Sequence, residues 1–227
     1  MDIIGWMNKI IEYLEELFPN PVCELDFETD YQLLISVMLS AQTTDKRVNE
    51  VTKILYSKYN NLNKLSNANV EDVKSIIKPL GSFNKKSENV INISKTLLKM
   101  ECVPNDREFL ESLPGVGRKT ANVVLGILYK VPCVAVDTHV ERVSKRLGLV
   151  EEDDSVLTVE QKLTKLFKND DMVKRHHQLL LFGRYYCKAK KPDCVNCKIG
   201  CKKRLLNWSL FLINQLIYCI FYYYKLF

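Results

Sequence analysis

The chain has 227 residues, 47% hydrophobic, 26% charged and 10% aromatic, with a formal net charge of +6. That length accommodates one large domain or two small ones, and the balance excludes a chain disordered throughout. The surplus charge is local: residues 174–204 hold ten Lys and Arg against one acid, Asp193, whereas residues 1–173 are net acidic. A basic stretch of this kind suits a polyanionic partner, although a solvated charged segment has the same composition.

In chain order, Met7, Ile10, Ile11, Leu14, Leu17 and Phe18 recur at helical spacing, and Pro19-Asn20-Pro21 ends that helix. Leu33, Leu34, Val37 and Met38 mark a second helix, and Val48, Val51, Ile54 and Leu55 a third. Val73, Ile76 and Ile77 precede Pro79 and Gly81; Val90, Ile91, Leu97 and Leu98 predict a helix ending before Pro104. Asp106–Ser112 reads as a short helix, and a strongly apolar helix follows Gly117 with Ala121, Val123, Val124, Leu125, Ile127 and Leu128. Val131–Val136 alone has strand character; a strand without a partner is unstable, so it reads as an extended connector. The expected class is all-α, with no solenoid repeat.

Residues 205–227 differ in kind. They carry one charge, Lys225, and are rich in Leu, Ile, Phe and Tyr, with Lys202, Lys203 and Arg204 in front and Asn207, Asn214 and Gln215 within. Three readings stand open: a tail helix packed on the body, a membrane anchor, or a C-terminus rewritten by a shifted reading frame.

Cys187, Cys194, Cys197 and Cys201 are four of eight cysteines, spaced Cys-x6-Cys-x2-Cys-x3-Cys. The start of the chain is not basic and its apolar residues are spaced, so no secretory signal is expected and the thiols belong in a reducing compartment. Four thiols this close, without an interleaved His, are metal ligands; the spacing permits Zn(Cys)4 or a [4Fe–4S] cluster. Lys188, Lys190 and Lys191 lie between the first two ligands, where the metal centre would hold a phosphate-binding loop in shape.

Leu113-Pro114-Gly115-Val116-Gly117 turns the chain before Arg118-Lys119-Thr120-Ala121-Asn122. Glycines two apart open backbone angles closed to other residues, and the N–H groups of the turn and of the next helix's first turn make an anion site suited to a DNA phosphate. Alone, such a turn is a weak signal. Lys119 reads either as a surface lysine on phosphate or as a nucleophile, and the second needs an unprotonated amine. Desolvation and the helix N-terminal dipole would both favour that form. Further on, Thr138-x-x-Glu141 matches a capping box, which places Asp137 just before the N-cap. On local evidence Asp137 and His139 are helix-end residues before they are catalytic ones.

Taken together, Leu39–Asp45 (LSAQTTD), Leu113–Leu125 (LPGVGRKTANVVL), Val136–Val143 (VDTHVERV), His176–Cys187 (HHQLLLFGRYYC) and the Cys cluster closely resemble the bacterial endonuclease III family of helix-hairpin-helix DNA glycosylases and AP lyases. The resemblance runs over residues 5–200. It implies an all-α, two-domain fold with DNA in the cleft: a six-helix domain over 22–132, an iron–sulfur cluster domain from 1–21 plus 133–204, and the hydrophobic tail 205–227 outside the pattern. It implies Lys119 as the Schiff-base lysine, Asp137 as the catalytic aspartate, and Gln42 as the residue filling the gap left by a flipped nucleotide. Further DNA contacts are expected from Ser82, Phe83, Leu113, Gly115, Val116, Gly117, Arg118, Thr120, His139, Lys188, Lys190 and Lys191. Adenine-removing relatives lack the hairpin lysine and carry a glutamate on the helix that here has Ser36-Val37-Met38.

The implied activity is removal of oxidised pyrimidines from duplex DNA with β-elimination, by a monomeric, cytoplasmic protein. A mismatch-directed glycosylase, a non-catalytic helix-hairpin-helix module and a membrane-associated variant are the alternatives. The resemblance selects a [4Fe–4S] cluster on Cys187, Cys194, Cys197 and Cys201 over zinc. Two departures stand out. The family pattern has five residues before the last Cys where this chain has three, and Ser82 stands where a bulky apolar wedge is common, with Phe83 next to it.

Overall fold

The computed structural model describes residues 3–168 and 171–201, and among these there is no strand. The helices are α1 (Ile3–Leu17), α2 (Asp30–Leu39), α3 (Asp45–Lys58), α4 (Leu62–Ser66), α5 (Val70–Ile77), α6 (Phe83–Leu97), α7 (Arg107–Ser112), α8 (Arg118–Tyr129), α9 (Thr138–Leu147), α10 (Val156–Leu166) and α11 (Met172–Tyr185), with a 3-10 turn at Lys78–Leu80. The 131–136 segment lies in neither a helix nor a strand. Residues 205–227, and with them the tail readings, lie outside the described residues. Among the described residues no helix is long and apolar enough to cross a membrane.

The described residues divide into two compact units: one of Val22–Ala135 with 168 and 171–174, the other of residues 3–21, Val136–Phe167 and 175–201. In the first unit α2 is the central helix, with all eight residues from Gln32 to Leu39 buried. Leu33, Leu34, Ile35 and Leu39 meet Leu55, Leu65, Ile77, Val90, Ile93 and Val124 in one apolar cluster. Each such side chain contributes about 1.5–3 kcal/mol by leaving water. The polar groups buried on α2 are satisfied: Ser36 Oγ lies 3.0 Å from the Tyr56 hydroxyl, which donates to the Gln32 carbonyl at 3.1 Å. Burial pushes the Tyr56 phenol well above its ordinary range, so it stays a neutral donor.

In the other unit Ile10 and Leu14 of α1 are fully buried. The Trp6 indole N–H donates to the Leu147 carbonyl at 2.9 Å, and Tyr13 meets Phe182 edge-on with centroids 6.2 Å apart. Gly183 brings α11 against α9: a Cβ there would lie 2.9 Å from His139 Cβ and 3.2 Å from the His139 carbonyl oxygen.

Helix starts follow local chemistry. Thr29, Thr44, Asn61, Asn69, Asp106, Asp137 and Ser155 each accept a first-turn N–H, an interaction typically of about 1 kcal/mol. One expectation is corrected. Asp137, not Thr138, is the N-cap of α9, and its Oδ1 accepts from His139 N at 2.9 Å and Val140 N at 2.8 Å. Glu141 is engaged by Lys145 at 2.7 Å instead of closing a capping box. A carboxylate one residue earlier is the better acceptor for two orphan amides.

Candidate active site

The Leu113–Val116 turn is closed by a Val116 N–H bond to the Leu113 carbonyl at 3.1 Å, with Pro114 second and Gly115 third at φ +79°. That is the arrangement a type II turn demands of proline and glycine. Gly115 has a second constraint, since a Cβ there would lie 2.3 Å from Asn89 Nδ2 of α6. Gly117 is different: its φ of −103° is open to any residue, and an added Cβ would meet nothing within 4 Å. Leu113 and Val116 turn their side chains into the core, so the hairpin presents main chain outward. No side chain caps α8, whose first-turn amides begin at Arg118. Arg118 and Lys119 are exposed there and Thr120 is half-buried.

Asn122, one turn further along α8 and almost fully buried, fixes the helix from below. Its Nδ2 donates to the Val134 carbonyl at 3.1 Å, and its Oδ1 accepts from Arg107 of α7. The same residue thus ties together both helices of the hairpin and the connector that leads to Asp137.

Two loops beside α2 and α6 share an unusual backbone. Gln42 at φ +62° and Ser82 at φ +46° are left-handed without being glycine, at about 1–2 kcal/mol each. Both side chains are exposed. Phe83, by contrast, begins α6 and packs partly against the core. Between the two loops sits the Lys86 ammonium, which donates to the carbonyls of Leu39 at 3.0 Å, Ala41 at 2.8 Å and Leu80 at 3.1 Å. Lys86 is buried, and burial pushes its amine below the ordinary lysine range. The residues gave a signal for it: Lys86 occupies the apolar stripe of α6 with Val90, Ile93 and Leu97. Ser36, Val37 and Met38 are all buried, and none is acidic.

The four cysteines line one cavity of about 330 Å³, with Leu147 and Phe182 in its wall. The Arg146 guanidinium reaches it, 3.4 Å from Cys187 Sγ, and also donates to the carbonyls of Lys188 at 2.7 Å and Ala189 at 3.2 Å. Arg142 of the same helix donates to the Gly183 carbonyl at 2.8 Å and the Cys187 carbonyl at 3.2 Å, and lies 3.3 Å from His139 Nδ1. Burial pushes the Cys197 thiol up, and the three neighbouring thiols push it the same way. Among the described residues no three His, Cys, Asp or Glu converge tightly enough for a single ion. The thiols ring a space instead, and Cys201 joins them despite the short last gap. Lys188, Lys190 and Lys191 are exposed on the loop between the first two cysteines. The sequence reading missed Lys86, Asn122, Arg142 and Arg146 as site-building residues.

Residues 35–169 match the HhH-GPD superfamily of base excision DNA repair proteins. Endonuclease III of Rickettsia conorii (strain ATCC VR-613 / Malish 7) is 46% identical over 195 residues, covering 85% of this chain and 92% of the relative. That of Escherichia coli (strain K12) is 45% identical over 200 residues, covering 85% and 94%. A structure of a trapped endonuclease III–DNA covalent intermediate superposes with a TM-score of 0.84 at 40% identity, covering 92% of this chain and 100% of that one. A non-covalent endonuclease III–DNA complex gives 0.85 at 40% identity with the same coverage. A thermostable thymine-DNA glycosylase shares the fold, with a TM-score of 0.75 at 19% identity over 88% of this chain and 97% of that one. The chain belongs to the endonuclease III family of HhH-GPD base excision DNA repair proteins.

Proposed function

We propose that the protein is a bifunctional DNA glycosylase and AP lyase that removes oxidised pyrimidines from duplex DNA through a Schiff base on Lys119. The observation that carries this reading is an amine exposed in the first turn of an uncapped helix, directly after a turn that offers only backbone. The turn and the α8 amides hold a phosphate, which seats Lys119 Nζ beside a sugar. DNA seated on the turn would take water away from the amine.

The damaged nucleotide leaves the stack at a cost of about a few kcal/mol, least for a damaged base. Gln42 fills the gap, and the Ser82–Phe83 segment, Arg118, Thr120 and His139 contact the surrounding strand. Lys119 Nζ attacks C1′ as the C1′–N bond to the base breaks, and the base departs with a proton; the C1′–O4′ bond of the resulting aminal then opens, O4′ taking a proton as Nζ and C1′ form a double bond. The resulting imine acidifies C2′. Loss of a C2′ proton then expels the 3′ phosphate and cuts the strand, and water releases the enzyme. Asp137 stabilises positive charge developing at the sugar or takes a proton in these steps.

The thiol-ringed cavity, with a guanidinium at its wall, fits a [4Fe–4S] cluster on Cys187, Cys194, Cys197 and Cys201 better than a lone zinc. That group would supply a scaffold and no chemistry at the sugar. It would fix the loop whose Lys188, Lys190 and Lys191 face phosphates. The same reading takes the protein to be a cytoplasmic, nucleoid-associated monomer; a DNA substrate and thiols kept for a metal support the compartment.

The test is incubation with duplexes carrying thymine glycol, dihydrouracil, an abasic site or a mismatch, with borohydride added. The native protein should release the oxidised pyrimidines and be trapped on DNA. Lys119→Gln should do neither, and trapping retained by that variant would refute the assignment. Preference for the mismatches would make the substrate class wrong.

A further inference from the structure

Lys86 has no carboxylate among its hydrogen-bond partners. The three protons of its ammonium meet three backbone carbonyls, and its donor capacity is saturated. Those carbonyls belong to two chain segments. Leu39 ends α2, and Ala41 immediately precedes Gln42. Leu80 ends the 3-10 turn and precedes Gly81 and Ser82. Helix C-termini carry partial negative charge and orphan carbonyls, so one buried cation satisfies both ends at once.

Burying an ammonium is costly unless it is fully bonded, and an apolar side chain would fill this stripe of α6 more cheaply. What a cation does here that an apolar residue cannot is hold the two loops to each other. Each of the two segments places a non-glycine residue in the left-handed region, Gln42 at φ +62° and Ser82 at φ +46°. Strain of this kind persists only where the surroundings over-determine it. Both strained residues point exposed side chains outward.

We propose that Lys86 is a positioning residue for opening the duplex: by seating on the carbonyls of Leu39, Ala41 and Leu80 it locks the Gln42 loop and the Gly81–Ser82 loop into one rigid unit that enters the base stack together. This rests on the reading that those loops contact DNA. Without the cation each loop relaxes on its own, and Gln42 no longer arrives where the nucleotide has left. The chemistry at Lys119 is untouched, so a sugar already out of the stack should react as before.

Lys86→Met keeps the length and the apolar contacts and removes the charge. It should lower kcat/KM on a dihydrouracil duplex by about tenfold to a hundredfold, since misplacement by a full ångström can cost about a hundredfold. Its rate of borohydride trapping on single-stranded abasic DNA should stay within about twofold of the native rate. The fluorescence rise of 2-aminopurine opposite the lesion, which reads stack opening, should be slowed in parallel with the duplex reaction. Equal loss on both substrates, or loss on neither, overturns the proposal.

A second measurement keeps Lys86 and so covers a variant that fails to fold. Gln42→Ala and Ser82→Ala are combined on the duplex substrate, and locked loops predict a double variant no worse than the poorer single one. Single effects that simply multiply overturn the locking. Single variants that both leave the duplex rate unchanged defeat the loop-contact reading itself, and the proposal with it.

Discussion

Asp137 does two jobs with one carboxylate, and residue-scale substitutions separate them. Asn caps a helix about as well as Asp, whereas Ala removes the cap at about 1 kcal/mol. Asp137→Asn should therefore melt with the native protein while losing about a hundredfold or more of base release, the usual scale of a misassigned proton or charge. Asp137→Ala should lose both activity and stability. An Asn variant with full activity would reduce Asp137 to a helix cap. That Asp137 closes two amides of α9 was not legible from the Thr138-x-x-Glu141 pattern, because the pattern does not disclose that Glu141 is taken by Lys145. The place of Lys86 in the apolar stripe of α6 marked it as buried, but its role was hidden for a related reason. Its partners are main-chain oxygens as far as 47 residues away, and a carbonyl has no letter in the sequence.

At the scale of elements, two glycines in helices make opposite demands. At Gly183 the atoms a Cβ would strike are His139 Cβ and the His139 carbonyl, with Val143 Cγ2 at 3.1 Å, and none is the far end of a flexible chain. Overpacking of that kind costs about 1–3 kcal/mol, more than the helix propensity Ala gains. At Gly126 the nearest atom is Val173 Cγ2 at an ordinary 3.4 Å. Gly183→Ala should lower the melting temperature by about 2–8 °C, and Gly126→Ala should leave it level or raise it. Equal melting temperatures would mean that α9 and α11 part without resistance. The amphipathic helices and the hairpin were legible because their signals are local: apolar residues at helical spacing, a Pro-Gly turn, a terminating proline. α4 is only five residues long, and α10 shows three buried side chains, Val159, Glu160 and Leu163, one of them an acid. α4 is too short for periodicity to show; α10 carries Val156, Val159, Leu163 and Leu166 at helical spacing, a signal that was there to be read.

For the whole molecule, the metal centre decides whether the C-terminal cysteines complete the protein. Anaerobically purified chain should contain about four iron and four sulfide and show the broad visible absorption of a thiolate-bound cluster. Zinc without iron would overturn that assignment. The cysteine spacing pointed to a metal, and the family resemblance to an iron–sulfur cluster in place of zinc. What the sequence did not disclose is Arg146, 41 residues before Cys187, lying beside its sulfur and bonded to three carbonyls of the following loop. The basic loop is thus pinned from α9 as well as by whatever the thiols hold.

The two hairpin glycines answer to different masters. Gly115 is dictated from inside, by its left-handed backbone and by Asn89 lying beneath it. At Gly117 nothing in the protein objects to a side chain. As the N-cap of α8 it favours Gly over Ala, but the space around it would admit a side chain. If the turn holds a phosphate as proposed, a bare residue 117 is what that partner asks for, at a position where the protein itself leaves room for a side chain.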